Sequence, residues 1–217
     1  MPAQYLIQSS TLTNIADAIR LKLGASDPIA ASEFAENIIA IPTGSGGGTV
    51  NWSNCIPTEE YNGSTLASYS NSTINIVNAN AFAECSSLSA ITLDSCKCIE
   101  YGAFRDCVTL TDVSLPTCER IGPVAFYECS ALSSITLPTC TMICYLAFAY
   151  CENLESVYLL APSLCHIDSP HIFDGGPMFP DGTQTGKIYV PSTLYSRYRN
   201  ASEWSYYRNC FVSYVSS

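Results

Sequence analysis

Apolar and polar positions between Ala81 and Leu159 return with a constant period of 22 residues. Each period opens on the box Ala-Phe-x-x-Cys: Ala81, Phe82, Cys85; Ala103, Phe104, Cys107; Ala125, Phe126, Cys129; and Ala147, Phe148, Cys151. A leucine follows three residues after each cysteine, and then come two apolar residues one apart: Ile91 with Leu93, Val113 with Leu115, Ile135 with Leu137, Val157 with Leu159. Alternation of that kind predicts a short strand with Ile91 and Leu93 turned to one side and Ala90 and Thr92 to the other. An unbroken period predicts a solenoid, because no single coil can bury its own apolar face and only stacking closes the core. The expected fold class is an α/β solenoid with a parallel strand ladder, the phenylalanines filling the wall opposite the strands.

The same register reaches beyond the four boxes. Leu66 and Tyr69 stand one period before Leu88 and Ile91, so residues 51–73 read as an amino-terminal cap with a degenerate repeat, followed by four regular repeats over 74–161. After Leu159 the register slips: Phe173 lies three residues past its expected place, and a loop rich in glycine, proline and aspartate runs to Gly186. Lys187-Ile188-Tyr189-Val190-Pro191 restores the strand pattern, so residues 162–191 form an irregular last repeat, longer by nine residues. Within 192–217, Ser192 is placed to cap a final helix carrying Leu194, Tyr195, Tyr198 and Ala201, and Trp204, Tyr206, Tyr207, Phe211 and Val212 form an aromatic lid. Residues 1–43 carry two helical stripes, one through Leu12, Ile15, Ile19 and Leu23 and one through Phe34, Ile38 and Ile41, which predicts a helical hairpin. Residues 44–50 are a glycine-rich linker.

Composition narrows the function classes. The chain has 19 acidic against 9 basic residues, a formal charge of -10, and residues 74–161 hold nine acids and three bases. Such repeats repel phosphate, which argues against nucleic acid. No apolar run suits a membrane span, and without a basic stretch, an apolar block and a small-residue cleavage site in the opening residues, no conventional secretion signal is expected there. Of 12 cysteines, seven fall in two columns, Cys85, Cys107, Cys129, Cys151 and Cys96, Cys118, Cys140. Side chains in a parallel ladder point the same way, so these are expected to be buried thiols that fill the core rather than disulfides, made in a reducing bacterial cytoplasm.

Candidate chemistry is sparse. The outward strand positions are small and hydroxylated, and Asp112, Ser114, Ser134, Thr136, Ser156 and Tyr158 are the candidate ligand-facing residues, suited to hydrogen-bonding a protein or a glycan. Glu84, Asp106 and Glu128 share one column, with Tyr150 in the fourth coil, and read as a solvated acidic ridge. His166 and His171, with Asp168, Asp174 and Asp181, are the one place where a metal-dependent hydrolase could be sought. No triad and no phosphate loop can be assembled, so neither enzyme activity nor a cofactor is expected.

With the strand Ile135-Thr136-Leu137-Pro138, the pair Ile121-Gly122 and the Ala-Phe-x-x-Cys boxes in view, residues 64–217 resemble the BspA-type leucine-rich repeats of bacterial surface proteins. The resemblance implies a solenoid used for adhesion, without catalysis. Residues 1–43, with Tyr5-Leu6-Ile7, Ser10 to Arg20 and Ile38-Ile39-Ala40-Ile41, resemble the small amino-terminal module of tail-associated proteins in phages and prophages of gut Firmicutes. That second resemblance implies docking onto a phage tail or baseplate, a virion location, and a solenoid displayed to a cell-surface protein or glycan. The alternative is a bacterial cell-surface adhesin.

Overall fold

A computed structural model describes residues 55–58, 60–178 and 185–215. The helical hairpin expected over 1–43, the linker over 44–50, and Trp52 and Asp181 lie outside the described residues.

Two strands and a box make each coil. The short strands β1 (Cys55–Ile56), β3 (Ile76–Val77), β5 (Cys98–Ile99), β7 (Arg120–Ile121), β9 (Met142–Ile143) and β11 (His166–Ile167) form a six-stranded parallel sheet in that order. The longer strands are β2 (Ser68–Asn71), β4 (Ala90–Leu93), β6 (Asp112–Ser114), β8 (Ser134–Leu137), β10 (Ser156–Leu159), β12 (Lys187–Pro191) and β13 (Phe211–Tyr214). They form two parallel sheets, β2-β4-β6 and β8-β10-β12-β13. The register follows the 22-residue period, with Tyr69 opposite Ile91, Ile91 opposite Val113, and Ile135 opposite Val157. Ile188 stands opposite Val157 and reproduces the nine-residue insertion in the last coil.

Box residues bond from coil to coil without being strands: the N–H of Phe82, Phe104 and Phe126 each reach the carbonyl of Ala103, Ala125 and Ala147 at 2.8 Å. Here the structure departs from an α/β solenoid. The boxes are turns, and the described repeats are a β-solenoid whose helices are confined to the carboxy-terminal cap. The cause is backbone geometry, since each box is bracketed by two left-handed residues that no helix accommodates. One column is Asn80, Gly102, Val124 and Leu146, with φ between 52° and 58° for all but Val124 at 59°; the other is Glu84, Asp106, Glu128 and Tyr150, between 57° and 61°.

Inside, the phenylalanines form one continuous stack. Phe82, Phe104, Phe126 and Phe148 lie 5.1, 5.1 and 5.3 Å apart with their planes within 12° of parallel. Phe173 continues the stack at 5.7 Å despite its three-residue displacement. Tyr61 takes the phenylalanine position one coil earlier, stacked 4.9 Å from Phe82, so the amino-terminal stretch contributes a ring to the stack. Each box thiol reaches back one coil, Cys107 Sγ to the Phe82 carbonyl and Cys129 Sγ to that of Phe104 at 3.1 Å, and Cys151 Sγ to that of Phe126 at 3.0 Å. The described cysteines are all free, and all but Cys55 and Cys98 are buried.

The last coil has no successor to satisfy its backbone, and a buried orphan group is costly. The cap supplies partners from side chains that are apolar in body and polar at the tip. Tyr198 Oη accepts the Cys165 N–H at 2.8 Å, Trp204 Nε1 donates to the Cys165 carbonyl at 2.8 Å, and Tyr207 Oη donates to the Pro170 carbonyl. Tyr207 also closes the ring stack edge-on, 5.3 Å from Phe173. Two expectations are corrected here. Helix α1 (Tyr195–Asn200) is preceded by Leu194 as its N-cap residue, with no side-chain cap bond, because Leu194 N–H closes a turn onto Pro191 and moves the helix start past Ser192. Tyr206 is 49% exposed, outside the buried lid of Trp204, Tyr207 and Phe211.

One seam interrupts the stack of coils. β6 and β8 do not pair, and Val113 on β6 is half-buried where Ile91, Ile135 and Val157 are buried. Across that seam the coils are joined by β5 with β7, by the box ladder, and by the Phe104–Phe126 contact.

Candidate binding surfaces

Strand alternation sends the expected ligand-facing side chains to one outer wall. Asp112, Ser114, Ser134 and Thr136 are exposed, and Ser156 and Tyr158 are half-buried. Ser134 stands opposite Ser156 and Thr136 opposite Tyr158, so these four side chains make one patch; Asp112 and Ser114 belong to the other sheet, beyond the seam. The Asp112 carboxylate accepts the Thr111 hydroxyl at 2.7 Å.

Tyr158 reads from the sequence as a single aromatic. In the fold it is one of three, because β12 and β13 continue the sheet. Tyr189 lies 4.4 Å from it with planes 9° apart, and Tyr214 meets it nearly at right angles at 6.0 Å. Tyr189 was legible as an outward position of the Lys187–Pro191 strand; Tyr214 was not, because nothing in the tail reads as a parallel strand. The wall thus runs from small hydroxylated residues onto a step of tyrosines.

The acidic column is not a uniform solvated ridge. Glu84 and Glu128 are exposed and Asp106 is half-buried. Arg105 bridges the first two coils, with Nη2 at 2.8 Å from Glu84 and Nη1 at 2.7 Å from Asp106. One period on from Arg105 stands Tyr127, so Glu128 has no such partner. The repulsion expected of stacked carboxylates is therefore relieved at one end of the column and left at the other.

A polar cluster on the short-strand sheet went unread. The outward column there is Cys55, Ile76, Cys98, Arg120, Met142 and His166. Cys98 Sγ donates to Glu100 Oε1 at 3.0 Å, and Arg120 Nη1 lies 3.5 Å from Glu100 Oε2. Burial, with Glu100 beside it, pushes the Cys98 thiol up, and burial pushes Cys144 up to about 12 against the pull of Arg120. Thiols so shifted stay protonated at neutral pH and are poor nucleophiles. The mixed composition of this column, unlike the boxes, leaves no repeating signal.

The two histidines are separated by their partners. His166 Nδ1 faces Glu203 at 3.0 Å and His171 Nδ1 faces Asp174 at 2.9 Å. Among the described residues no group of three or more His, Cys, Asp or Glu side chains could hold a metal ion. No helix among them is long and apolar enough to cross a membrane.

Solved structures similar to this chain include leucine-rich repeat proteins. One from T. pallidum is 24% identical, with 58% of this chain and 60% of that chain covered and a TM-score of 0.50. A leucine rich cell surface protein from Faecalibacterium prausnitzii A2-165 is 22% identical, covering 70% of this chain and 36% of its own, with a TM-score of 0.49. A leucine-rich repeat protein from Bacteroides ovatus is 18% identical, covering 73% and 45%, with a TM-score of 0.49. The chain thus spans less than two thirds of the length of each. No curated protein matches it. The BspA type leucine rich repeat region, by contrast, is matched in six copies over residues 55–175. With that match covering more than half of the sequence, and with the period, the box stack and the parallel ladders in place, the chain belongs to the BspA-type leucine-rich repeat family.

Proposed function

We propose that this protein is a non-enzymatic binding protein of the bacterial cell surface, which uses the long-strand wall of its solenoid to hold a protein or glycan. The observation that carries the reading is the wall itself: exposed Ser134 and Thr136, followed by the stacked tyrosines Tyr158 and Tyr189, on a rigid ladder. Hydroxyls offer hydrogen bonds without a charge to desolvate, and tyrosines add apolar area at low entropic cost.

The virion-tail assignment rests on residues 1–43 alone, and neither the family match nor the similar structures extends it to this chain. On the cell-surface reading, residues 1–43 serve as an attachment segment and 44–50 as the spacer. The test is saturable binding of the fluorescently labelled full chain to bacterial and epithelial cells, before and after protease or glycosidase treatment. Binding abolished by one treatment identifies the ligand class. Absence of saturable binding to every surface, at concentrations up to about 100 times a micromolar Kd, would refute the reading.

A further inference from the structure

The unneutralised end of the acidic column opens a second surface on a different wall of the coil. Val108, Glu128, Ser130, Tyr150 and Glu152 line a depression of about 380 Å³. Two of its walls are apolar and exposed, Val108 at 43% and Tyr150 at 45%. Among the described residues no basic side chain pairs with Glu128 or Glu152, whereas Arg105 bridges Glu84 and Asp106 in the preceding coils.

The tyrosine is held in place before any ligand arrives. Its N–H donates to the Asp174 carbonyl at 2.6 Å, and its ring meets Tyr127 edge-on at 5.2 Å. Behind it lies Gly175, where a Cβ would come within 2.6 Å of the ring. Glycine at this position is what lets the ring lie against the last coil with the remainder of its surface open. Preorganisation of that kind lowers the entropic cost of binding.

From this geometry we infer that the depression binds an arginine or lysine side chain from a basic segment of a partner protein. The apolar stem of such a side chain packs on Val108, and its cation meets the tyrosine ring together with Glu128 and Glu152. Charge complementarity selects this occupant. A guanidinium here supplies the cation that Arg105 provides in the preceding coils and that Tyr127 cannot.

The test is fluorescence anisotropy of labelled hexa-arginine on the full chain at about 150 mM salt, where long-range attraction is screened beyond roughly 8 Å. E128N/E152Q should weaken binding at least ten-fold. The charge-matched D94N/E155Q, which removes two exposed acids elsewhere, should change it less than two-fold. Y150N keeps a residue that tolerates a left-handed backbone and should weaken binding several-fold without touching the charge. Equal losses in the two double variants would mean attraction to net charge only and would overturn the inference, as would unchanged binding by Y150N.

Discussion

Replacing Phe126 by alanine should do more than destabilise the fold; it should divide it. The ring is fully buried and lies between Phe104 at 5.1 Å and Phe148 at 5.3 Å, nearly parallel to both. Its carbonyl accepts the Cys151 thiol at 3.0 Å, so collapse of the backbone into the void is opposed. Loss of a buried phenylalanine costs about 3–5 kcal/mol. The position adds a second effect, because Phe126 flanks the seam where β6 and β8 do not pair and the Phe104–Phe126 contact is one of the few links across it. In a repeat array stability is close to a sum of coil and interface contributions, and weakening the poorest interface uncouples its two sides. Urea unfolding of F126A, followed by far-ultraviolet circular dichroism, should therefore show two transitions. F82A is the control, since the interfaces on both its sides keep full strand pairing, β2 with β4 and β4 with β6. It should lose a similar free energy in a single transition. A single transition for F126A, or a loss below about 1 kcal/mol, would refute the seam as a weak interface.

V124G should stabilise the fold by about 0.5–1 kcal/mol, because a β-branched residue at φ 59° carries a left-handed penalty of about 1–2 kcal/mol that exceeds the entropic cost of glycine; a lower melting temperature would contradict this. Burial raises the folded pKa of Cys96 and Cys151 to about 12. Both thiols bind their protons more tightly folded than unfolded, so stability is intact below about pH 8.5 and falls by about 1.4 kcal/mol per pH unit per thiol towards 12; a urea midpoint unchanged between pH 7.5 and 10 would exclude it. Y198F leaves the Cys165 N–H without its 2.8 Å acceptor and should cost about 1–3 kcal/mol, measured by denaturation and contradicted by wild-type stability.

The period carried most of the fold, and residues such as Phe82 and Ile91 announce their burial by recurrence alone. The register slips at Phe173 and Lys187 were legible for the same reason, since an insertion shifts the pattern without erasing it. Less legible was whatever depends on backbone conformation at residues that do not favour it. Glu84, Glu128 and Tyr150 are left-handed because the coil path demands it, and their side chains carry no such signal. Arg105 lies outside the acidic column in sequence, so its bridge to Glu84 appears only once coils are stacked. The box cysteines were rightly placed in the core, but as apolar filler; their thiols also donate to the preceding coil, a contact with no sequence mark.

Cell binding by S134R/S156R decides whether the long-strand wall holds the ligand. Both positions face outward on paired strands, so arginines there should leave the melting temperature of the full chain unchanged while blocking the wall. Binding should fall at least ten-fold relative to wild type. Undiminished binding by this variant would place the ligand elsewhere than on the long-strand wall.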